Sequence, residues 1–402
     1  MSSTPKPRGK VFILVTLVLD AMGVGLILPV MPDLIKELNG GTVGDAAIWG
    51  GILLTTFSVM QFLFGPLLGA LSDRFGRRPV LLISLAVMTL DYVLMAVAHT
   101  IWLIFLTRVI GGITAATQST ASAFMADISD RRQKSANFGL VGAAFGLGFV
   151  LGPVIGGLLA QYGLRAPFWA AAGLSGVNFL YGLFILPETV TDRTRRAFDM
   201  KRANPLGAFK AVSHLPRVTR LLILLFVYEF SLMVYPAIWA YFPKERFGWD
   251  PAMVGFSLML FGISMAIVQG GLMRYALTRV GERRLIIFGL AFEGLAFLIL
   301  TMISSGFWAL ILIPISALGA VVTPALQGRM SRIAKDDQQG ELQGVIASAR
   351  AVAAIVSPLV MTQIFWFFTV GGGPYVPGAP FALSALLMGL CLIVFATRKR
   401  GR

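Results

Sequence analysis

The chain has 402 residues, 56% of them hydrophobic and only 13% charged, with a mean hydropathy of +0.79. Soluble domains carry about 25% charged residues, so an ordinary soluble enzyme is excluded, and so much apolar sequence also excludes a disordered chain. Thirty-four Lys and Arg against 19 Asp and Glu leave a formal net charge of +15, which in a soluble protein points to nucleic acid; here the placement of the basic residues points elsewhere.

A membrane-crossing helix needs about 20 apolar residues, and twelve such runs follow one another. The first, near 11–30, comes after Lys6, Arg8 and Lys10 and contains Asp20. It is too long for a signal peptide and lacks a small-residue cleavage site, so it reads as a retained helix. Span 2 (47–71) carries Phe57 and Gln61 and runs into Gly69-Ala-Leu-Ser-Asp-Arg-Phe-Gly-Arg-Arg78. Span 3 (79–98) holds Asp91, and span 4 (101–126) holds Arg108, Thr114 and Gln118. Span 5 (136–160) contains Gly146-Leu-Gly-Phe-Val-Leu-Gly-Pro-Val-Ile-Gly-Gly157, and span 6 (166–186) contains Asn178. The polar stretch 187–219 follows, rich in Arg and Lys and broken by Asn204-Pro205. Within it, 206–213 reads equally well as a short amphipathic surface helix or as plain linker.

The second six spans lie near 220–242, 252–276, 284–303, 306–328, 342–368 and 379–397. They carry Tyr228, Glu229, Tyr235 and Trp239 (span 7), Gln269 (span 8), Glu293 (span 9), Gln327 (span 10), and Arg350 and Trp366 (span 11). Cys391 in span 12 is the single cysteine, which forbids an internal disulfide or a thiolate cluster. His99 and His214 are too far apart in sequence to suggest zinc. No metal site is expected.

Twenty-eight of the 34 basic residues fall in the N-terminus, the C-terminus and five alternate loops. The opposite loops hold only Lys36, Arg165, Lys244 and Arg246. By the positive-inside rule both termini are cytoplasmic, and the +15 is a topology signal that leaves no role for nucleic acid.

The chain also repeats itself. Pro153 and Pro358 are 205 residues apart, as are Gly139 and Gly344, and Asp73–Arg78 stands 205 residues before Thr278–Arg283. The fold expected is therefore all-α and integral to the membrane. Twelve transmembrane helices form two pseudo-symmetric six-helix bundles, residues 1–186 and 220–402, joined by a cytoplasmic linker, 187–219. In transporters built from parallel repeats, substrate and coupling ions bind near the bilayer midplane.

Four carboxylates fall inside spans: Asp20, Asp91, Glu229 and Glu293. Counted from the cytoplasmic ends they lie roughly 14–18 Å deep. An unpaired carboxylate at that depth costs roughly 2.5–3.5 kcal/mol even on the lenient insertion scale. Desolvation favours the neutral form of a carboxyl group, which suits groups that take up and release protons. The functional reading is a proton relay with a site for a cationic substrate. The bland reading pairs each acid with Arg108 or Arg350 to hold helices together, but four acids against two bases leave at least two acids over. Thr114, Gln118, Gln61 and Gln327 are polar groups that need partners in apolar surroundings, and Tyr235 and Trp239 offer aromatic faces for a planar ligand or for helix packing.

The stretch Gly69–Arg78 resembles the loop 2–3 signature of major facilitator transporters. Gly76 suits a tight turn, Arg74, Arg77 and Arg78 sit at the cytoplasmic surface, and Asp73 is placed to pair with them and to face a helix N-terminus. The resemblance implies that Gly69, Asp73, Arg74, Gly76, Arg77 and Arg78 lock the cytoplasmic side. Gly148, Gly152, Pro153, Gly156 and Gly157 resemble the antiporter motif of drug:proton exchangers; their spacing also suits close helix packing.

More specifically, the chain is similar to the tetracycline-exporter branch of those antiporters, in Leu19–Pro32, Leu90-Asp-Tyr92, Gly111–Thr114, Ala166-Pro-Phe168, Arg246–Trp249, Val254–Leu258, Pro324–Gly328 and Gln338–Gly344. The resemblance implies proton-coupled export of amphipathic, tetracycline-like drugs by alternating access in a bacterial inner membrane. Asp20, Asp91, Glu229 and Glu293 would couple protons. Gln61, Arg108, Thr114, Gln118, Tyr235, Trp239, Gln327 and Arg350 would meet the substrate. It implies no cofactor beyond the proton gradient, with Mg²⁺ arriving, if at all, on the substrate, and a monomer working with protons, lipid and a small molecule. The chain departs from that branch at Met265, where a histidine is usual, at Glu293 in place of aspartate, at Ala115 and Gln118 in place of glycines, and at the added Glu229 and Arg350. A second solute, a metabolite or an anion met by Arg350, is the alternative. A membrane enzyme or receptor is the reading from another class, and no nucleophile–base set supports it.

Overall fold

A computed structural model describes residues 7–115, 117–130, 134–192, 195, 207, 215–216, 218–335 and 338–397. The segment 206–213, with its two readings, lies outside the described residues except for Gly207. All regular elements among the described residues are helical. Twelve helices are long and apolar enough to cross a membrane. They are Gly9–Asn39, Val43–Phe75, Arg77–Ala96, Ile101–Asp127, Asn137–Tyr162 and Ala166–Ile185, then Thr219–Ile238, Pro251–Leu272, Glu282–Met302, Gly306–Ile333, Gln339–Phe367 and Ala379–Ala396.

Several spans are irregular where their sequences lack the donors or side chains that keep a helix regular. Span 1 is α-helical to Ile27, tightens into a 3-10 turn at Leu28–Val30 and resumes as Met31–Asn39. Pro29 and Pro32 each remove a backbone donor there. The resumed helix extends the span beyond the 11–30 read from apolarity, because it is amphipathic: Leu34 and Ile35 are buried while Glu37 is exposed. Span 4 breaks after Gly111-Gly112, with Ala115 outside helical geometry (ψ 45°) between Ile101–Thr114 and Thr117–Asp127. Span 8 widens to a π-helical turn at Val268–Leu272, around Gly270-Gly271, and span 10 tightens at Ala317–Val321, around Gly319. Such turns recur at functional sites.

The chain forms two compact units, one of Met1–Asn39, Thr56–Pro205 and Pro251–Met259, the other of Gly40–Thr55, Leu206–Asp250 and Leu260–Arg402. In the first, span 1 packs along spans 5 and 6, and span 3 along span 6. Glycine decides the first of these contacts. A methyl group at Gly148, Gly152 or Gly156 would collide with the backbone oxygens of Val18, Met22 and Leu26, so three successive turns of span 5 lie directly on span 1. Gly157 lies against Pro251 and Ala252, and Gly255 against the Pro153 carbonyl, which binds the opening turns of span 8 into this unit.

In the second unit span 9 packs along span 12, and span 7 along spans 11 and 12. The opening turns of span 2 belong here: Gly51 lies against Thr362 and the Pro358 carbonyl, and the Thr55 hydroxyl donates to Ile355 O (2.9 Å). Asp45 anchors that end, its Oδ2 taking the Thr42 N–H (2.9 Å) and hydroxyl (2.8 Å) and its Oδ1 the Trp366 indole N–H (2.9 Å). The contacts follow the internal repeat to within one residue: Pro153 and Pro358 stand 205 residues apart, and Gly51 and Gly255 stand 204 apart.

Candidate functional site

The motif between spans 2 and 3 is built around three carboxylates, Asp73, Asp127 and Glu188. Span 2 ends at Phe75, and span 3 begins at Arg77 after Gly76, whose φ of 111° is open to glycine and strained for other residues. The Arg77 guanidinium pairs with Asp73 Oδ1 (2.5 Å) and with Asp127 Oδ2 (3.2 Å) at the end of span 4, and also donates to Ser72 Oγ (2.9 Å). Asp73 thus serves the Arg77 side chain. The helix N-terminus that the sequence reading assigned to Asp73 is taken by Glu188, which follows span 6. Glu188 Oε1 accepts the Arg77 N–H (2.9 Å), Oε2 accepts the Arg78 N–H (3.1 Å), and Oε1 also takes the N–H groups of Thr189 and Val190. A side chain at Gly76 would collide with it. Glu188 and Asp127 were missed from sequence; the signal was an acid standing in loops otherwise rich in Arg and Lys. Arg78 reaches the Leu183 carbonyl (2.8 Å), Arg74 lies over the Phe75 ring, and Gly69 has open space around it.

Deeper in the first unit, Arg108 Nη2 donates to Asp91 Oδ2 (2.8 Å) and touches Met95 Sδ. The two side chains are 14% and 5% exposed. The guanidinium lies 5.7 Å from the centre of the Phe57 ring. Gly112 lets span 4 approach close enough for this, since a methyl group there would strike Met60 and the Phe57 carbonyl. Asp91 Oδ1 and Arg108 Nε are buried without a hydrogen-bond partner. Asp20 on span 1 is half-buried and makes no ion pair or hydrogen bond among the described residues. One turn on, Gly23 accommodates the Tyr92 hydroxyl. Thr114 spends its hydroxyl on Ile110 O (3.0 Å) of its own helix. Gln61 is exposed and tied to neither group, and the Gln118 side chain lies outside the described residues.

In the second unit the pairing is exchanged. Glu229 of span 7 takes the cation: its Oε1 accepts from Arg350 Nε (3.0 Å) and from the Thr323 hydroxyl (3.3 Å). Glu293, 3% exposed in span 9, has no cation among the described residues. Its Oε1 accepts from the Tyr235 hydroxyl (3.3 Å), and its other oxygen lies against Gly319, at the tightened turn of span 10. The Tyr228 hydroxyl donates to the Gly319 carbonyl (3.3 Å), so that turn is fixed from both sides. Tyr235 and Trp239 are packed in an aromatic cluster with Phe261, Phe297 and Phe381, at ring separations of 5.3–6.3 Å. Trp239 is 5% exposed, so its ring faces neighbours. Gln327 is half-buried and bonded to none of these groups.

A further pair repeats across the chain with its charges reversed. Arg77–Asp127 joins the start of span 3 to the end of span 4; Glu282–Arg332 joins the start of span 9 to the end of span 10, each residue 205 positions on. No group of three or more His, Cys, Asp or Glu suited to a metal occurs among the described residues.

Comparison with known proteins agrees with this architecture. A profile of the Major Facilitator Superfamily matches residues 13–358 and 221–402. The class C tetracycline resistance protein of Escherichia coli is 40% identical over 355 residues, covering 88% of this chain and 89% of that protein. The class E tetracycline resistance protein of Escherichia coli is 37% identical over 373 residues, covering 90% and 91%. Among solved structures, the nucleoside transporter NupG superposes with a TM-score of 0.77 at 15% identity, over 96% of this chain and 98% of that one, a likeness of fold alone. Twelve apolar helices, a matching profile over most of the chain and relatives above 30% identity place this chain in the Major Facilitator Superfamily, a family of multi-pass membrane transporters and not of enzymes.

Proposed function

We propose that the protein exports amphipathic, tetracycline-like drugs in exchange for protons, by alternating access, in a bacterial inner membrane with both termini cytoplasmic. The observation that carries the proton half is the charge pattern: of four mid-span carboxylates, Asp91 and Glu229 hold the two mid-span arginines, while Asp20 and Glu293 face no cation among the described residues. A carboxylate in an apolar span without a counter-ion is destabilised in its charged form, so Asp20 and Glu293 are the groups best suited to carry a proton. Asp91 and Glu229 then hold Arg108 and Arg350 in place for the substrate. The drug half is supported by the names of the relatives. The cytoplasmic motif, with Asp73 and Asp127 on one arginine, is suited to hold that side shut in part of the cycle. Chain and proton suffice; the protein works as a monomer with no cofactor, and any Mg²⁺ enters on the drug.

The test is proton release from acid-loaded everted vesicles on adding tetracycline with Mg²⁺, followed with a pH-sensitive dye. Wild-type protein should give a tetracycline-dependent flux that Asp20→Asn and Glu293→Gln each abolish at equal protein level. Flux retained in full by both variants would remove the proton assignment, and no flux in wild type would remove the drug.

A further inference from the structure

The two mid-span arginines differ in one respect that matters for ligands. Arg108 is enclosed: its side chain is 14% exposed, Met95 and the Phe57 ring cover it, and its Nε is buried without a partner. Arg350 is open: its side chain is 42% exposed, and only its Nε is engaged, by Glu229. Among the described residues no acceptor faces either of its Nη groups. Arg350 lies 11 residues into the Gln339–Phe367 helix, about 16 Å from its cytoplasmic end at 1.5 Å per residue. A guanidinium at that depth cannot be turned to hydrocarbon without a cost of several kcal/mol; such groups face protein or a water-filled cavity. Glu229 of span 7, itself held by Thr323 of span 10, sets its direction, and by the same cost the exposed edge belongs to a water-filled cavity rather than to hydrocarbon. Headgroups of lipid do not reach that depth.

The edge left free carries the two parallel N–H donors that recognise a carboxylate, phosphate or enolate bidentately. Glu229 is 10% exposed, and its Oε1 is held in turn by Thr323, so the fork is held in one orientation before a ligand arrives, which lowers the ordering cost of binding.

From this geometry we infer that Arg350, oriented by Glu229, is the subsite for an anionic group on the transported molecule, which makes the preferred substrates amphipathic compounds that carry a carboxylate or a chemically equivalent oxyanion. The inference rests on the export reading and names its substrate class. Glu229 has two effects: it aims the guanidinium and it competes with the ligand's negative charge.

The test uses two dyes that share one ring system, rhodamine 110 with a free carboxylate and rhodamine 123, its methyl ester. Binding to the purified full-length protein is read by fluorescence anisotropy. Wild type should bind the carboxylate about tenfold or more tightly than the ester, the size expected of one charge-assisted contact. Arg350→Gln should erase that preference, bringing the two dyes to equal affinity. Glu229→Gln, which keeps an acceptor for Nε and removes the competing charge, should increase the preference; a merely structural pair would weaken both dyes alike. Equal binding of the two dyes by wild type, binding of neither, or a preference that survives Arg350→Gln would overturn the assignment. Tetracycline-driven proton flux of wild type in vesicles reports the export reading separately, so either can fail while the other stands.

Discussion

At the scale of single residues, the charged groups inside the spans sort by burial and by partner. Asp91 and Arg108 enclose each other, and each leaves one polar atom unpartnered. Removing one member of such a pair strands a buried charge, at a cost of about 3–5 kcal/mol, whereas removing both is far milder. Arg108→Ala should therefore lower the unfolding midpoint of the detergent-purified protein sharply, and the double variant Asp91→Asn/Arg108→Ala should recover much of the loss. Thermal unfolding followed by tryptophan fluorescence checks this; a double variant as unstable as the single one would show that the pair is not the stabilising unit. The four acids and two arginines were all legible as intramembrane charges. Which acid holds which arginine was not, because the pairing depends on which helices are neighbours and how each is rotated.

At the scale of elements, two contacts recur where the sequence carries its densest motifs. Span 5 lies on span 1 through Gly148, Gly152 and Gly156, each facing a backbone oxygen. Gly152→Leu should separate the helices or prevent insertion, seen as loss of folded protein in detergent extracts, whereas Gly146→Ala, with open space around it, should be tolerated. The start of span 3 depends on Glu188, which supplies from the end of span 6 the acceptor that Gly76 cannot. A carboxylate at a helix N-terminus contributes roughly 0.3–1 kcal/mol at an exposed site, so Glu188→Gln should cost a few tenths to 1 kcal/mol in denaturant unfolding and Glu188→Ala more. The glycine spacing of span 5 was readable. The cap was not, since Glu188 and Arg77 are 111 positions apart, and no local pattern links them.

At the scale of the whole molecule, the internal repeat explains a pattern that no single motif shows. The pair Arg77–Asp127 returns 205 residues later as Glu282–Arg332 with its charges exchanged. What the repeat preserves is the pairing of the two helix ends and not the sign at either one. A test follows: Glu282→Arg alone places like charges together and should reduce transport, and adding Arg332→Glu should restore it to near the wild-type rate. The pair is partly exposed, at 66% and 18%, where single ion pairs contribute about 0–1 kcal/mol, so stability should barely move. A double variant as impaired as the single one would mean that the residues act apart. The docking is reciprocal around the repeated prolines: Gly51 lies against the Pro358 carbonyl of span 11 and Gly255 against the Pro153 carbonyl of span 5, 205 residues earlier.

Composition and hydropathy determined the membrane and the twelve spans by themselves, because lipid imposes its length and polarity rules on each helix separately. Motif order and the 205-residue repeat carried the family, because they are properties of the chain read in one dimension. Only the tertiary structure decided that Asp20 and Glu293 stand without cations among the described residues, that Trp239 is enclosed by other rings, that Arg350 is open where Arg108 is covered, and that Glu188 serves a helix it never touches in sequence. Each of these turns on rotation and proximity of helices far apart in the chain, set by glycine contacts and by which buried charges can reach one another.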